Sequence, residues 1–164
     1  MISEVKKKAL DALDAAGISY DRTDHEAMYT MEELEEAGLN KNKEIAKNLF
    51  LRNDNGKQHY LVVVREDKNA DLKKIRAEIG SSRLSFASED RLFMCMGLKK
   101  GSVSPLGVIN DTENKVQVYF DKDLMQQKRI GVHPNENTTT VFIEPNVLYE
   151  FIKAQGNEIS LIEV

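Results

Sequence analysis

The chain has 164 residues, 41% of them hydrophobic and 30% charged, and a formal charge of −4. This length buries a real core within one domain, and the acidic balance argues against a protein that coats nucleic acid without specificity. A single cysteine, Cys95, excludes an internal disulfide, and no apolar run approaches the roughly 18 residues of a membrane span.

Met1 to Lys8 lacks the apolar stretch of a signal peptide, so a cytoplasmic protein without a membrane partner is expected. The spacing predicts a first helix over 3–16, capped by Ser3 and stopped by Gly17, with Val5, Ala9, Ala12, Leu13 and Ala16 on one face. A short extended piece at 18–20 leads to His25. Thr30-Met31-Glu32-Glu33 reads as a capping box opening a short helix that ends near Gly38. Two strands, 46–51 and 58–65, flank a turn whose Asn55-Gly56 pair accommodates positive φ. Leu61 to Val64 lacks alternation, as expected of a strand covered on both faces.

A helix over 71–78 follows, burying Leu72, Ile75 and Ile79 before Gly80; Ser88 caps another that carries Leu92 and Met96 to Gly97. After a loop over 99–105, strands at 106–109 and 116–120 form an expected hairpin. A polar turn, Gly131 to Thr140, leads into a strand at 139–143. Pro145 suits the first turn of a last helix ending near Gly156, and a strand at 159–162 closes the chain. The expected fold is a single α/β domain with a mixed sheet.

No P-loop, nucleophile elbow or dinucleotide-binding glycine pattern is present, and His25, His59, His133 and Cys95 show no metal-ligand spacing. Cys95 lies in an apolar helix and reads as a small core residue, and His59 as a surface or cross-strand residue. Three features carry chemistry. Lys47 sits in the apolar run Ile45 to Leu51; strand lysines mostly face solvent, but this one can aim its ammonium into a pocket and hold an oxygen. Gly101 is either a plain loop glycine or a backbone amide free to donate to an oxyanion. His133, fixed in an extended conformation by Pro134, can sit at a pocket rim. Basic groups at Lys41, Lys43, Lys47 and Arg52, at Lys73, Lys74 and Arg76, and at Lys99 and Lys100 are each ordinary surface charge alone. Together they suit a protein that grips one nucleic-acid end.

These segments resemble the YbaK/prolyl-tRNA-synthetase-associated superfamily of aminoacyl-tRNA editing proteins, and most of all its freestanding ProX/PrdX/ProXp-ala branch of alanyl-tRNA(Pro) deacylases. The resemblance rests on an ordered set over essentially the whole chain: His25 with Thr30 to Glu33, Lys47 to Arg52, Asp71 to Lys73, Arg83 to Ala87, Gly97 to Pro105, and His133-Pro134 with Asn137-Thr138. It implies a mixed, barrel-like sheet surrounded by helices. It also implies a metal-free and cofactor-free hydrolase of the ester between an amino acid and the terminal adenosine of tRNA. Under it Lys47, Gly101 and His133 are the catalytic set. Asn48, Ser102, Pro105, Pro134, Asn137, His25 and Thr30 bind substrate. The implied partners are the tRNA acceptor end, gripped by the clusters at 41–52 and 99–100, and prolyl-tRNA synthetase; a monomer is expected. Where some relatives carry a bulky apolar residue after the His-Pro pair, this chain has Asn135-Glu136, which bears on amino-acid specificity.

Three other readings stand beside alanyl-tRNA(Pro) hydrolysis: a deacylase of cysteinyl-tRNA(Pro) or another mischarged tRNA, a non-catalytic module that binds charged tRNA, and, ranked last, a small-molecule-binding α/β protein.

Overall fold

The computed structural model describes residues 3–40 and 43–164. Helix α1 (Glu4–Ala15) starts where the Ser3 hydroxyl accepts from the Lys6 amide. Its buried face carries Lys6, Ala9, Leu10 and Leu13; Val5 and Ala16, expected on that face, are exposed. Strand β1 (Asp21–Asp24) falls just after the expected extended piece. In α2 (Met31–Glu36) the capping box is half formed. The Thr30 hydroxyl accepts from the Glu33 amide at 3.1 Å and donates to the Glu33 carboxylate, which does not reach back to the Thr30 amide.

Strands β2 (Lys47–Arg52) and β3 (His59–Val64) form the expected antiparallel hairpin, with Gly56 at φ +71° in its turn. Helix α3 (Leu72–Ile79) is capped by Asp71 and ended by left-handed Gly80; α4 (Glu89–Met96) is capped by Ser88 and ended by left-handed Gly97. A two-residue strand, β4 (Ser85–Phe86), pairs with β2.

The expected strand at 106–109 is instead a 3-10 helix, Pro105–Asn110. Pro105 supplies no amide for a ladder, and the buried Ser104 hydroxyl accepts from the Leu106 amide at 3.2 Å, so a cap replaces the hairpin. Strand β5 (Val116–Asp121) therefore pairs in parallel with β3, and with β8 (Ile159–Ile162) on its other side. The remaining elements are a second 3-10 helix (Lys122–Gln126), β6 (Ile130–Val132), β7 (Thr139–Ile143) and α5 (Pro145–Ala154).

The strands make two sheets, ordered β1-β7-β6 and β4-β2-β3-β5-β8. They meet at one parallel bridge, Ile45 with Gly131. The barrel-like sheet implied by the resemblance is thus corrected to two open sheets flanked by helices. Three-residue β6 turns away into the His133 loop after that bridge, leaving nothing to continue the ladder. The larger sheet is covered on both sides, as the unalternated β3 sequence requires. Leu61 and Val63 pack with Phe120, Leu148 and Leu106 on one face, and Tyr60, Val62 and Val64 with Ile75 and Leu84 on the other. Among the described residues no helix is long and apolar enough to cross a membrane.

Candidate active site

A cavity of about 310 Å³ opens between the start of β2, the β6–β7 loop, the loop after α4 and the segment around α2. Lys47, Asn48, Gly101, His133 and Thr30 line it together, although Lys47 and Thr30 stand 86 and 103 positions before His133 in the chain.

Lys47 opens β2 half-buried, and its Nζ donates to the Lys68 carbonyl at 2.8 Å. An ammonium has three donors, so two protons remain for a ligand. The Lys68 carbonyl is itself held from below. The Lys68 ammonium bridges Asp121 at 2.8 Å and Asp123 at 2.7 Å, and Asp121, fully buried at the end of β5, also accepts from the Arg65 and Asp123 amides. Burial works against the Lys68 charge, but its bonds to Asp121 and Asp123 outweigh it and hold the ammonium above its ordinary pKa. Next to Lys47, the buried Asn48 Oδ1 has no hydrogen-bond partner among the described residues. Native structures rarely leave such an acceptor unpaired, so it calls for a donor from a ligand or water.

His133 is fixed at both ends. Its Nδ1 lies 3.0 Å from the Thr139 carbonyl, so that nitrogen carries the proton and Nε2 keeps a lone pair. Its own carbonyl accepts from the Ser104 hydroxyl at 2.5 Å. Burial pushes the imidazole below its ordinary pKa, the Thr139 bond works the other way, and the neighbouring His25 lowers it further. The ring is therefore neutral near pH 7, with an acceptor nitrogen. Gly101, at φ +84°, sits so close to Tyr29 that a Cβ there would lie 2.5 Å from Tyr29 Cδ1. Its amide has no partner among the described residues.

The other expected binding residues frame the cavity without lining it. His25 stands behind His133, ring centres 6.3 Å apart, with Nε2 on the Thr140 hydroxyl at 2.9 Å and Nδ1 on the Glu26 carbonyl. Asn137 is buried and donates to the Met28 carbonyl at 3.2 Å, pinning the segment that carries Met28 and Tyr29. Ser102 is buried and closes a tight turn to Lys99; Pro105 and Pro134 are buried in the loops that hold Ser104 and His133. Sequence reasoning missed the apolar walls, Met28, Met31, Leu34 and Val103, and also Gly131, where a Cβ would press on Ile45 and Phe142 at 2.8 Å. Only the Gly131-Val132-His133 run hinted at the last of these. Cys95 is half-buried with its thiol pushed up chiefly by burial, and His59 stacks on Phe50 beside Arg91, so neither belongs to the site.

The expected basic cluster at 41–52 does not form one patch. Arg52 donates to the Asn53 and Asp54 carbonyls, Lys43 pairs with Glu35, Lys47 turns to Lys68, and Lys41 lies outside the described residues. No three His, Cys, Asp or Glu side chains among the described residues could hold a metal ion.

A crystal structure described as a candidate trans-editing enzyme for prolyl tRNA synthetase superposes with a TM-score of 0.76 at 20% identity, covering 100% of this chain and 99% of that one. Residues 25–151 match the family model for the aminoacyl-tRNA editing domain. The prolyl-tRNA editing protein ProX of Acetoanaerobium sticklandii is 44% identical over the full length of both chains. A prolyl-tRNA synthetase associated domain-containing protein of Danio rerio is 28% identical, covering 92% of this chain and 82% of its own. The chain belongs to the aminoacyl-tRNA editing family, and is an aminoacyl-tRNA hydrolase.

Proposed function

We propose that the protein is a freestanding deacylase that clears alanine from mischarged tRNA(Pro). The observation that carries this reading is the set of groups around one small cavity: an ammonium with two spare donors (Lys47), a free amide (Gly101) and two acceptors (His133 Nε2 and Asn48 Oδ1), within apolar walls.

An aminoacyl ester is already activated, so it needs placement and charge stabilisation more than a nucleophilic side chain. The substrate's amino group donates to His133 Nε2 and Asn48 Oδ1, which orients the carbonyl toward Lys47 and Gly101. Water adds to the carbonyl carbon, and the oxygen takes up negative charge beside the ammonium and the amide. Collapse breaks the ester bond; the ribose oxygen leaves with the proton the water gives up, and free alanine and intact tRNA result. Thr30 caps α2 and sets the wall that Met31 and Leu34 provide. A synthetase cannot firmly exclude an amino acid smaller than its own, since a methylene is worth about 1–3 kcal/mol, and a second pocket that admits only the smaller residue corrects the error.

The names of the relatives make prolyl-tRNA synthetase the partner to test, with the protein itself acting as a monomer in the cytoplasm. The experiment is hydrolysis of alanyl-, cysteinyl- and prolyl-tRNA(Pro) side by side. Release of alanine with prolyl-tRNA spared supports the proposal. Faster loss of cysteine moves the substrate to cysteinyl-tRNA(Pro), and hydrolysis of prolyl-tRNA at the same rate refutes the sieve.

A further inference from the structure

Among the described residues the two sheets are bridged only at Ile45 and Gly131. The Gly131 amide donates to the Glu44 carbonyl at 2.8 Å, and the Ala46 amide to the Gly131 carbonyl at 3.2 Å. Lys47 and His133 each stand two residues beyond this parallel bridge, so the bridge sets the gap between them. Two backbone hydrogen bonds alone are a slight hold on that gap.

A cluster of side chains outside the cavity lining grips the same point. Arg129, just before β6, forks onto the Glu44 carboxylate, with Nε at 3.2 Å and Nη2 at 2.9 Å, and its Nη1 reaches Asp21 of β1 at 2.6 Å. Its guanidinium also lies over the Phe142 ring of β7, 4.4 Å from the ring centre. Phe142 in turn shares a slot with Ile45. A Cβ on Gly131 would lie 2.8 Å from both Ile45 Cγ1 and Phe142 Cε1, so these two side chains fill the space the glycine leaves. Ile45 is a wall of the active cavity, whereas Arg129 and Phe142 line other clefts. A file of side chains, Arg129, Phe142 and Ile45, thus leads from the protein's outside to the cavity wall. Exposed ion pairs are commonly worth little, but this one is bidentate, Glu44 is only 12% exposed, and Asp21 and Phe142 extend it into a network.

We propose that Arg129 is a positioning residue: acting through Glu44 and Phe142, it fixes the spacing of Lys47 and His133 and the seat of Ile45, and so determines how sharply the cavity separates alanine from proline. The assignment rests on the editing function proposed above, and it places the control of the sieve in a clamp that touches no substrate.

The test compares wild type with Arg129→Met, Glu44→Gln, the double variant and, as a control, Lys122→Met, which breaks the exposed pair with Glu163. Two readouts are taken at a temperature where circular dichroism shows every protein folded. One is single-turnover hydrolysis of alanyl- and prolyl-tRNA(Pro). The other is binding of their uncleavable amide analogues, 3′-alanylamino- and 3′-prolylamino-3′-deoxyadenosine. Arg129→Met should slow alanine release about tenfold and cut the preference for alanine over proline about tenfold, in rate and in analogue Kd alike. Glu44→Gln should do the same, and the double variant should add nothing, because the two residues act as one unit. Lys122→Met should leave the preference unchanged. Should Arg129→Met not fold, Glu44→Gln carries the comparison. A lower Tm with the wild-type preference makes the clamp merely structural and overturns the proposal, as does an equal loss of preference in Lys122→Met. A wild type that cleaves neither ester yet prefers the alanyl analogue, with Arg129→Met erasing that preference, overturns the editing reading and keeps the clamp. A wild type that neither cleaves nor prefers alanine overturns both.

Discussion

Replacing Lys68 by methionine tests whether Lys47, the proposed oxyanion donor, is held in place from behind. Lys68 is not in the cavity; it acts through its carbonyl, which accepts from Lys47 Nζ at 2.8 Å, and its ammonium ties that backbone to Asp121 and Asp123. Methionine keeps the stem and removes the tie. The buried Asp121 then keeps only two backbone donors, which costs about 3 kcal/mol of stability and roughly 6–12 °C in Tm. Once the segment around Lys68 loosens, the Lys47 ammonium loses its fixed position, and a displacement of about 1 Å is worth up to about 10²-fold in rate. Losing the Lys47 donor altogether costs about 10²–10³. Single-turnover hydrolysis of alanyl-tRNA(Pro), at a temperature where circular dichroism shows every variant folded, is the assay. The Lys68→Met rate should fall about 10- to 100-fold with little change in KM. Because Lys68 works only through Lys47, the Lys47→Ala/Lys68→Met double variant should be no slower than Lys47→Ala. Rates that multiply, or a Lys68→Met enzyme at full speed, would show that Lys68 does not hold Lys47 in place.

His133 sets the acid side of the pH profile. Burial and His25 depress its pKa, so the neutral form that accepts at Nε2 is full above about pH 6.5 and is lost as pH falls through the lower folded value; stability falls over the same window. The acid limb of kcat/KM should therefore lie below pH 6.5 and vanish in His133→Asn; an identical limb in that variant would assign it to the substrate amine instead. Gly101→Ala should lower Tm by about 3–6 °C, from about 1–2 kcal/mol of strain at φ +84° with a clash at Tyr29, and slow hydrolysis about tenfold as the Gly101 amide shifts in the cavity wall. Wild-type Tm and rate would show that the Tyr29 ring simply swings aside and that the close packing has no role.

Where the sequence was legible, local chemistry decided the outcome. Asn55-Gly56 fixed the β2–β3 turn, Ser3, Asp71 and Ser88 fixed helix starts, and the unbroken apolar run of β3 reported its two covered faces. The errors came where two local signals competed or where partners lie far apart. Leu106, Val108 and Ile109 look like strand residues, but Ser104 and Pro105 begin a 3-10 turn first. The parallel pairing of β3, β5 and β8 depends on sequence-distant contacts, and three-residue β6 is too short to show a period. In the site, Lys47, Asn48, Gly101 and His133 do converge. The anchor of Lys47 is a backbone carbonyl, which no side-chain pattern announces, and the walls at Met28, Met31 and Leu34 are ordinary apolar residues until the fold brings them round one cavity.

In the proposed reaction Lys47 stabilises the charge that develops as alanine leaves tRNA(Pro). The most direct measurement is the single-turnover rate of alanine release from alanyl-tRNA(Pro) by wild type and Lys47→Ala, with tRNA binding measured alongside. Rapid release by the wild type, a fall of about 10²–10³ in the variant, and equal binding by both are expected. Equal rates in the two proteins, or binding without any release by the wild type, would contradict this role.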